Sequence, residues 1–154
     1  MNYEAVAKVH NLIALKNRQS AVNLVADDRM LKRYVTEIQK AALDIIDLAE
    51  KPMTIIYDEA QNLANNLIAD DGTIAIRIPN DDFCYELTRK FNGAVASAPA
   101  VINKNQVPKS FKEIDNKFLK GVDYIVNLHR EKIIANPASI IRLKNNGEVK
   151  IVRA

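Results

Sequence analysis

The stretch from Met53 to Pro79, MTIIYDEAQNLANNLIADDGTIAIRIP, decides the fold class. It opens on a β-branched run, "MTIIYD", directly after Lys51-Pro52. It closes on "TIAIRIP", where Ile74 and Ile76 alternate with Thr73, Ala75 and Arg77. Alternation of period two sends one set of side chains to each face of a strand. Between the two runs, "NLANNLIADDG" reads as a helix or turn, with Asp71-Gly72 introducing the second strand.

Toward the N-terminus, "QKAALDIIDLAE" (39–50) has helical spacing, and Asp27 or Asp28 is placed to cap a helix through "RMLKRYV". "AVNLVA" (21–26) is a short strand candidate. "EAVAKVHNLIALKNR" (4–18) repeats apolar residues at Val6, Val9 and Ile13 and at Ala5 and Leu12, a helix with Asn2 as N-cap and Glu4 in its first turn. Toward the C-terminus, "NDDFCYELTRKFN" is an amphipathic helix capped by Asn80 or Asp81. "GAVASAPAV" follows as a strand emptying into a loop. "SFKE" (110–113) has the spacing of a capping box, and "DYIVNLH" (123–129) reads as a strand. The chain closes with "SIIRLK", Asn145-Asn146-Gly147 and "EVKIVRA", a hairpin expected to carry a type I′ turn. Strands mixed with helices and ending in a hairpin predict an α/β fold with a mixed sheet, in one domain over 1–154.

Bulk composition narrows the function classes. The 154 residues are 48% hydrophobic and 27% charged, with four Gly and five Pro, as expected for a globular domain with a core. The one cysteine, Cys84, allows no disulfide within the chain, which makes a reducing cytoplasm the default location. No apolar run approaches ~18 residues and no signal-peptide layout is present, so no membrane attachment is expected. A net charge of +3 is compatible with phosphate or nucleic-acid partners without requiring them.

Most common catalytic signatures are missing. His10 and His129 have no Cys or His at ligand spacing, and the pairs Asp27-Asp28, Asp70-Asp71 and Asp81-Asp82 stand where caps and turns need carboxylates; no protein-bound metal is expected. Cys84 has no histidine nearby in sequence to activate it. There is no nucleophile elbow, Walker A loop or G-x-G-x-x-G. The basic residues say more. Lys16 and Arg18 end the first helix, where they meet its dipole, and Arg77 sits at the C-terminal end of a strand, poised for a carboxylate or phosphate. Arg153 is placed similarly in "KIVRA".

In combination, "EAVAKVHNLIALKNR", "KPMTIIYDEAQNLANNLIADDGTIAIRIP", "SFKEIDNKFLKGVDYIV" and "PASIIRLKNNGEVKIVR", in that order, resemble the threonylcarbamoyl-AMP synthase family, the YrdC-type domain, over essentially the whole chain. The resemblance implies a twisted mixed sheet flanked by helices around a basic cavity that takes ATP, threonine and bicarbonate. The product is threonylcarbamoyl-AMP, whose threonylcarbamoyl group goes on to an adenosine of tRNA; magnesium would arrive with the ATP phosphates. Such domains are also associated with structured RNA, including double-stranded RNA. By the same resemblance, Lys16 and Arg18 match a K-x-R motif facing nucleotide phosphates, and Ser97 and Arg153 fall at the nucleotide. Thr73, Arg77 and Ser139 match positions at the threonine, with Arg77 on its carboxylate. Preplaced Arg and Lys donors would stabilise charge developing on phosphate oxygens without a protein nucleophile.

The chain departs from the family pattern in three places. The family's opening strand and turn, roughly P-T-[DE]-T-V-Y-G-L, has no counterpart before the K-x-R helix, which leaves a strand edge exposed and offers a route to pairing between two copies. The segment after K-x-R is shortened in "KNRQSAVNLV". In the S-x-S-A-N-x-S-G loop, Ala98 and Ala100 replace a Ser and the Asn, Ile102 and Asn103 replace the later Ser-Gly, and only Ser97 keeps a hydroxyl. Each polar ligand lost at such a site typically costs on the order of 10²-fold or more in rate. A weakly active or inactive synthase is therefore expected, the alternative being a non-catalytic module that binds RNA or nucleotide on the basic cavity.

Overall fold

The structure, a computed structural model, describes residues 2–13, 21–49, 51–100, 108–134 and 138–153. The helices are α1 (Tyr3–Leu12), α2 (Asp28–Leu31), α3 (Lys40–Leu48), α4 (Asp82–Phe91) and α5 (Asn116–Leu119). The strands are β1 (Val22–Leu24), β2 (Met53–Tyr57), β3 (Ile74–Arg77), β4 (Val95–Ser97), β5 (Ser139–Leu143) and β6 (Val149–Arg153). They form one twisted sheet in the order β4-β1-β3-β2-β5-β6. β1 runs parallel to β3 and β2 parallel to β5, and the other neighbours are antiparallel. This is the mixed α/β sheet expected from the alternating strand and helix patterns.

Hydrophobic alternation sets which face is inside. Ile55 and Tyr57 of β2, Ile74 and Ile76 of β3, and Ile141 and Leu143 of β5 are all buried. They pack in one cluster with Val6 of α1, Met30 and Leu31 of α2 and Ala42 of α3. Each such aliphatic side chain contributes roughly 1.5–3 kcal/mol on full burial. Tyr34 joins the cluster and ties its hydroxyl to the chain entering β4, accepting the Ala94 amide at 2.9 Å.

Local signals fixed several helix starts. Asn2 accepts the Glu4 and Ala5 amides, Asp27 accepts the Met30 amide at 2.8 Å, and Asp81 accepts the Cys84 amide at 2.9 Å. Asp27 and Asp81 are thus the caps, rather than Asp28 or Asn80. The helix through "RMLKRYV" is only one turn long, because the chain breaks into turns after Leu31. Residues 62–72 resolve as turns rather than a helix.

Three expectations are corrected. The capping box at Ser110–Glu113 does not form: Ser110 makes no side-chain cap, the segment is a 3-10 turn (Phe111–Glu113), and Glu113 reaches the Lys109 amide instead. "DYIVNLH" is not a strand, and Asp123, Tyr124, Val126, Asn127, Leu128 and His129 are exposed. Strand preference is expressed only where a pleated surface is available to pair with and pack against, and this segment has no ladder partner among the described residues. The terminal hairpin forms, but its turn is not type I′. Gly147 has φ +87 while Asn145 and Asn146 do not have positive φ. The Lys144 amide bonds to the Glu148 carbonyl, and the Gly147 amide to the Lys144 carbonyl. That is a three-residue loop with a left-handed glycine at its end.

The hairpin is clamped to the rest of the sheet. Arg142 of β5 reaches Asp58 at 3.2 Å and Asp71 at 3.0 Å, and Asp58 also accepts the Asn145 amide. Gln39, at the start of α3, donates its side-chain amide to the carbonyls of Lys144 and Asn145.

Candidate functional site

Strand register brings the candidate residues into rows. Val95 lies opposite Leu24, and Leu24 is aligned with Arg77. Ile55 faces Ile76, which sets Thr54 across from Arg77; Thr54 is aligned with Ile140, and Ile140 faces Arg153. One transverse row therefore runs Val95, Leu24, Arg77, Thr54, Ile140, Arg153 across the sheet. Its residues lie on the face opposite Ile55, Ile76 and Ile141, and apart from the buried Thr54 they are half-buried or exposed. A bulge-like register shift between Ile140 and Ile141 makes Arg153, rather than Val152, the residue opposite Ile140.

The sequence-predicted residues distribute around this row. Ser97 faces Val22, two positions from Leu24, so it shares the Arg77 face. Thr73 also falls on that side by alternation, but it is buried and its hydroxyl is committed: it donates to Asp71 Oδ1 at 2.6 Å, and the Thr73 amide donates to the same oxygen at 3.2 Å. Ser139 is aligned with Met53 and falls with Ile141 on the opposite face. Lys16 and Arg18 lie outside the described residues, as do Ile102 and Asn103. Ala98 and Ala100 follow directly after Ser97 and bring no side-chain hydrogen-bonding group there.

Arg77 is a half-buried cation of the face. Its Nε and Nη2 both donate to Thr54 Oγ1, at 2.9 and 2.6 Å, and Thr54 is fully buried. Burial, then the nearby Arg153 charge, push the Arg77 guanidinium below its ordinary pKa. It remains a cation at neutral pH, as arginine does in proteins. No carboxylate pairs with it among the described residues, in contrast to Arg142 with its two aspartates. Arg153 is held in the same manner, with Nε and Nη2 donating to the Ala138 carbonyl at 2.9 and 2.6 Å.

Near Arg77 stands the start of α4. Burial, with the Asp81 carboxylate adding, pushes the Cys84 thiol up to about 11. A neutral thiol is a poor nucleophile. The Asp81 carboxyl is held below its ordinary value chiefly by the Cys84 amide, and His129 and Lys132 add positive charge nearby. Among the described residues no three His, Cys, Asp or Glu side chains gather as metal ligands, and no helix is long and apolar enough to cross a membrane.

This arrangement can hold anions: two guanidinium groups, each fixed along one edge, on a half-open sheet face. The family model for Sua5/YciO/YrdC, described as telomere recombination, matches residues 2–154. The chain belongs to the Sua5/YciO/YrdC family. A putative threonylcarbamoyl-AMP synthase from Methanocaldococcus jannaschii is 27% identical over 153 residues, covering 98% of this chain and 70% of that protein. A threonylcarbamoyl-AMP synthase from Idiomarina loihiensis is 26% identical over 144 residues, covering 90% and 77%. Sua5 from P. abyssi has the same fold: a variant of it superposes with a TM-score of 0.83 at 16% identity, over 99% of this chain and 44% of Sua5. Its complex with L-threonine superposes with a TM-score of 0.76 at 16% identity, over 92% and 42%. The chain thus spans less than half of Sua5, while it covers most of the two curated relatives.

Sequence reading missed Thr54, the residue that holds Arg77. A lone hydroxyl inside the apolar run "MTIIY" was the available signal. The commitment of Thr73 also had a local signal, because Asp71-Gly72-Thr73 has the spacing at which an Asp side chain bonds its own backbone two residues on.

Proposed function

We propose that this chain is a threonylcarbamoyl-AMP synthase-like protein that binds L-threonine and ATP on the Arg77 face and forms threonylcarbamoyl-AMP weakly. The carrying observation is Arg77, a half-buried guanidinium fixed by a hydroxyl and facing no carboxylate among the described residues. A planar fork of that kind suits the carboxylate of an amino acid. Family membership and the two synthase relatives support the reaction class; the L-threonine complex of Sua5 supports the amino acid. Arg153, with Ser97 on the same face, is assigned to the nucleotide side, and magnesium is assigned to the nucleotide's phosphates. Bicarbonate supplies the carbamoyl carbon, and tRNA is the final acceptor of the threonylcarbamoyl group.

Weak turnover is assigned to Ala98 and Ala100, which follow Ser97 without polar side chains. The same two alanines favour a second reading, a module that keeps ligand or RNA binding without catalysis. ATP–pyrophosphate exchange, measured with and without threonine and bicarbonate, tests the first. Exchange that depends on both supports the synthase reading. Threonine binding with no exchange above a protein-free control sinks it and leaves the binding module.

A further inference from the structure

We infer that Thr54 is a positioning residue for Arg77: it fixes the guanidinium by its inner edge so that the outer edge is presented to a carboxylate. This rests on the functional reading above for the identity of the ligand, but the contact itself does not. The Thr54 hydroxyl is fully buried and accepts both Nε–H and Nη2–H of Arg77. Those two donors form one edge of the planar fork, and a single oxygen occupies it. The other edge, Nη1 with the second Nη2 hydrogen, has no partner among the described residues. It has the geometry for two parallel hydrogen bonds to a carboxylate.

The choice of a hydroxyl is chemically specific. The same sheet face holds a structural arginine, Arg142, and there the partners are two aspartates. A carboxylate at position 54 would neutralise Arg77 and compete with an incoming anion. A threonine orients the cation and leaves its charge uncompensated. The energetic signature agrees, since burial and Arg153 both disfavour the Arg77 charge and no carboxylate offsets them among the described residues, the Cys84 thiol being the one group that opposes them. Arg153, tied along the same edge to a neutral carbonyl, follows the same rule.

Valine is nearly isosteric with threonine, so Thr54→Val removes the hydroxyl with little change of shape, and Thr54→Ser keeps it. Calorimetric titration with L-threonine in the presence of ATP and magnesium should show affinity about tenfold weaker in Thr54→Val, the size of one lost charge-assisted hydrogen bond, and near-normal affinity in Thr54→Ser. The ¹⁵N-resolved Nε–H signal of Arg77 should exchange with water faster in Thr54→Val than in the wild type or Thr54→Ser. Normal threonine affinity in Thr54→Val, with Arg77→Lys weakened, would overturn the positioning role and leave the functional reading standing. If the wild type does not bind L-threonine, the functional reading fails; the Nε–H exchange then decides the positioning role, and an unchanged rate in Thr54→Val overturns it.

Discussion

Arg77 and Arg153 stand in one transverse row of the sheet, separated by Thr54 and Ile140, and each ties its Nε–Nη2 edge to a single uncharged oxygen. Three strand spacings put their backbones about 14 Å apart. Two cations borne on strands so spaced suit a ligand with separated anionic groups better than a single small anion. Arg153→Gln should therefore weaken ATP binding by about tenfold while changing threonine affinity, measured without ATP, by less than about twofold. Paired calorimetric titrations check this, and equal losses for both ligands would contradict the assignment of Arg153 to the nucleotide.

The clamp at Asp71 predicts a pH dependence. Its carboxyl is held below the ordinary value chiefly by the Thr73 hydroxyl, with the Thr73 amide and Arg142 adding. A carboxylate depressed by folding contributes stability that is present above its unfolded value, about 3.9, and is lost as the pH falls through the folded value. Asp71→Asn should thus have a lower urea midpoint than the wild type at pH 7, with the gap closing as the pH falls below the ordinary carboxylate range. A gap independent of pH would mean that the carboxylate's charge is not what stabilises the turn.

Cys84 should be unreactive. With its thiol pushed up to about 11, mainly by burial, the thiolate fraction at pH 7.5 is roughly a hundredfold below that of an ordinary cysteine. Alkylation by iodoacetamide in the folded protein should be correspondingly slow and should rise steeply at alkaline pH. Asp81→Asn removes the second cause of the shift and should speed the reaction modestly.

Gly147 closes the terminal hairpin at φ +87, and a Cβ there would meet only Gln39 Oε1, in ordinary contact at 3.9 Å. The cost of a side chain there is conformational rather than steric. Gly147→Ala should lower stability by about 1 kcal/mol, and Gly147→Asn by less, because Asn tolerates the left-handed region. Urea midpoints at constant slope would measure both.

The fold was legible where a pattern is local. Ile74 and Ile76 alternate with Ala75 and Arg77, and Asp27 and Asp81 precede their helices, so faces and starts could be read from neighbours in the chain. "DYIVNLH" misled because β-branched composition says nothing about whether a ladder partner exists. The site was legible to the same degree. Arg77 could be placed at a strand end, but Thr54 meets it from another strand, 23 residues away, and only register brings the two together. Thr73 was placed on the correct face, yet its hydroxyl is taken by Asp71, a competition that side-chain type alone does not reveal. Ser139 was expected beside Arg77, and the parity of β5 puts it on the other side of the sheet.

The two ends of the sheet differ in how far they invite further strands. At one end β4 is only three residues long, so an added chain would find little backbone to pair with. At the other, all five residues of β6 are exposed, but the strand carries Lys150 and Arg153 and adjoins a register shift. Charge and a local kink both make a poor template for edge-to-edge stacking. If Arg153 serves the nucleotide as proposed, ligand recognition and protection against fibre growth draw on one cation, and a substitution that silences the first should also weaken the second.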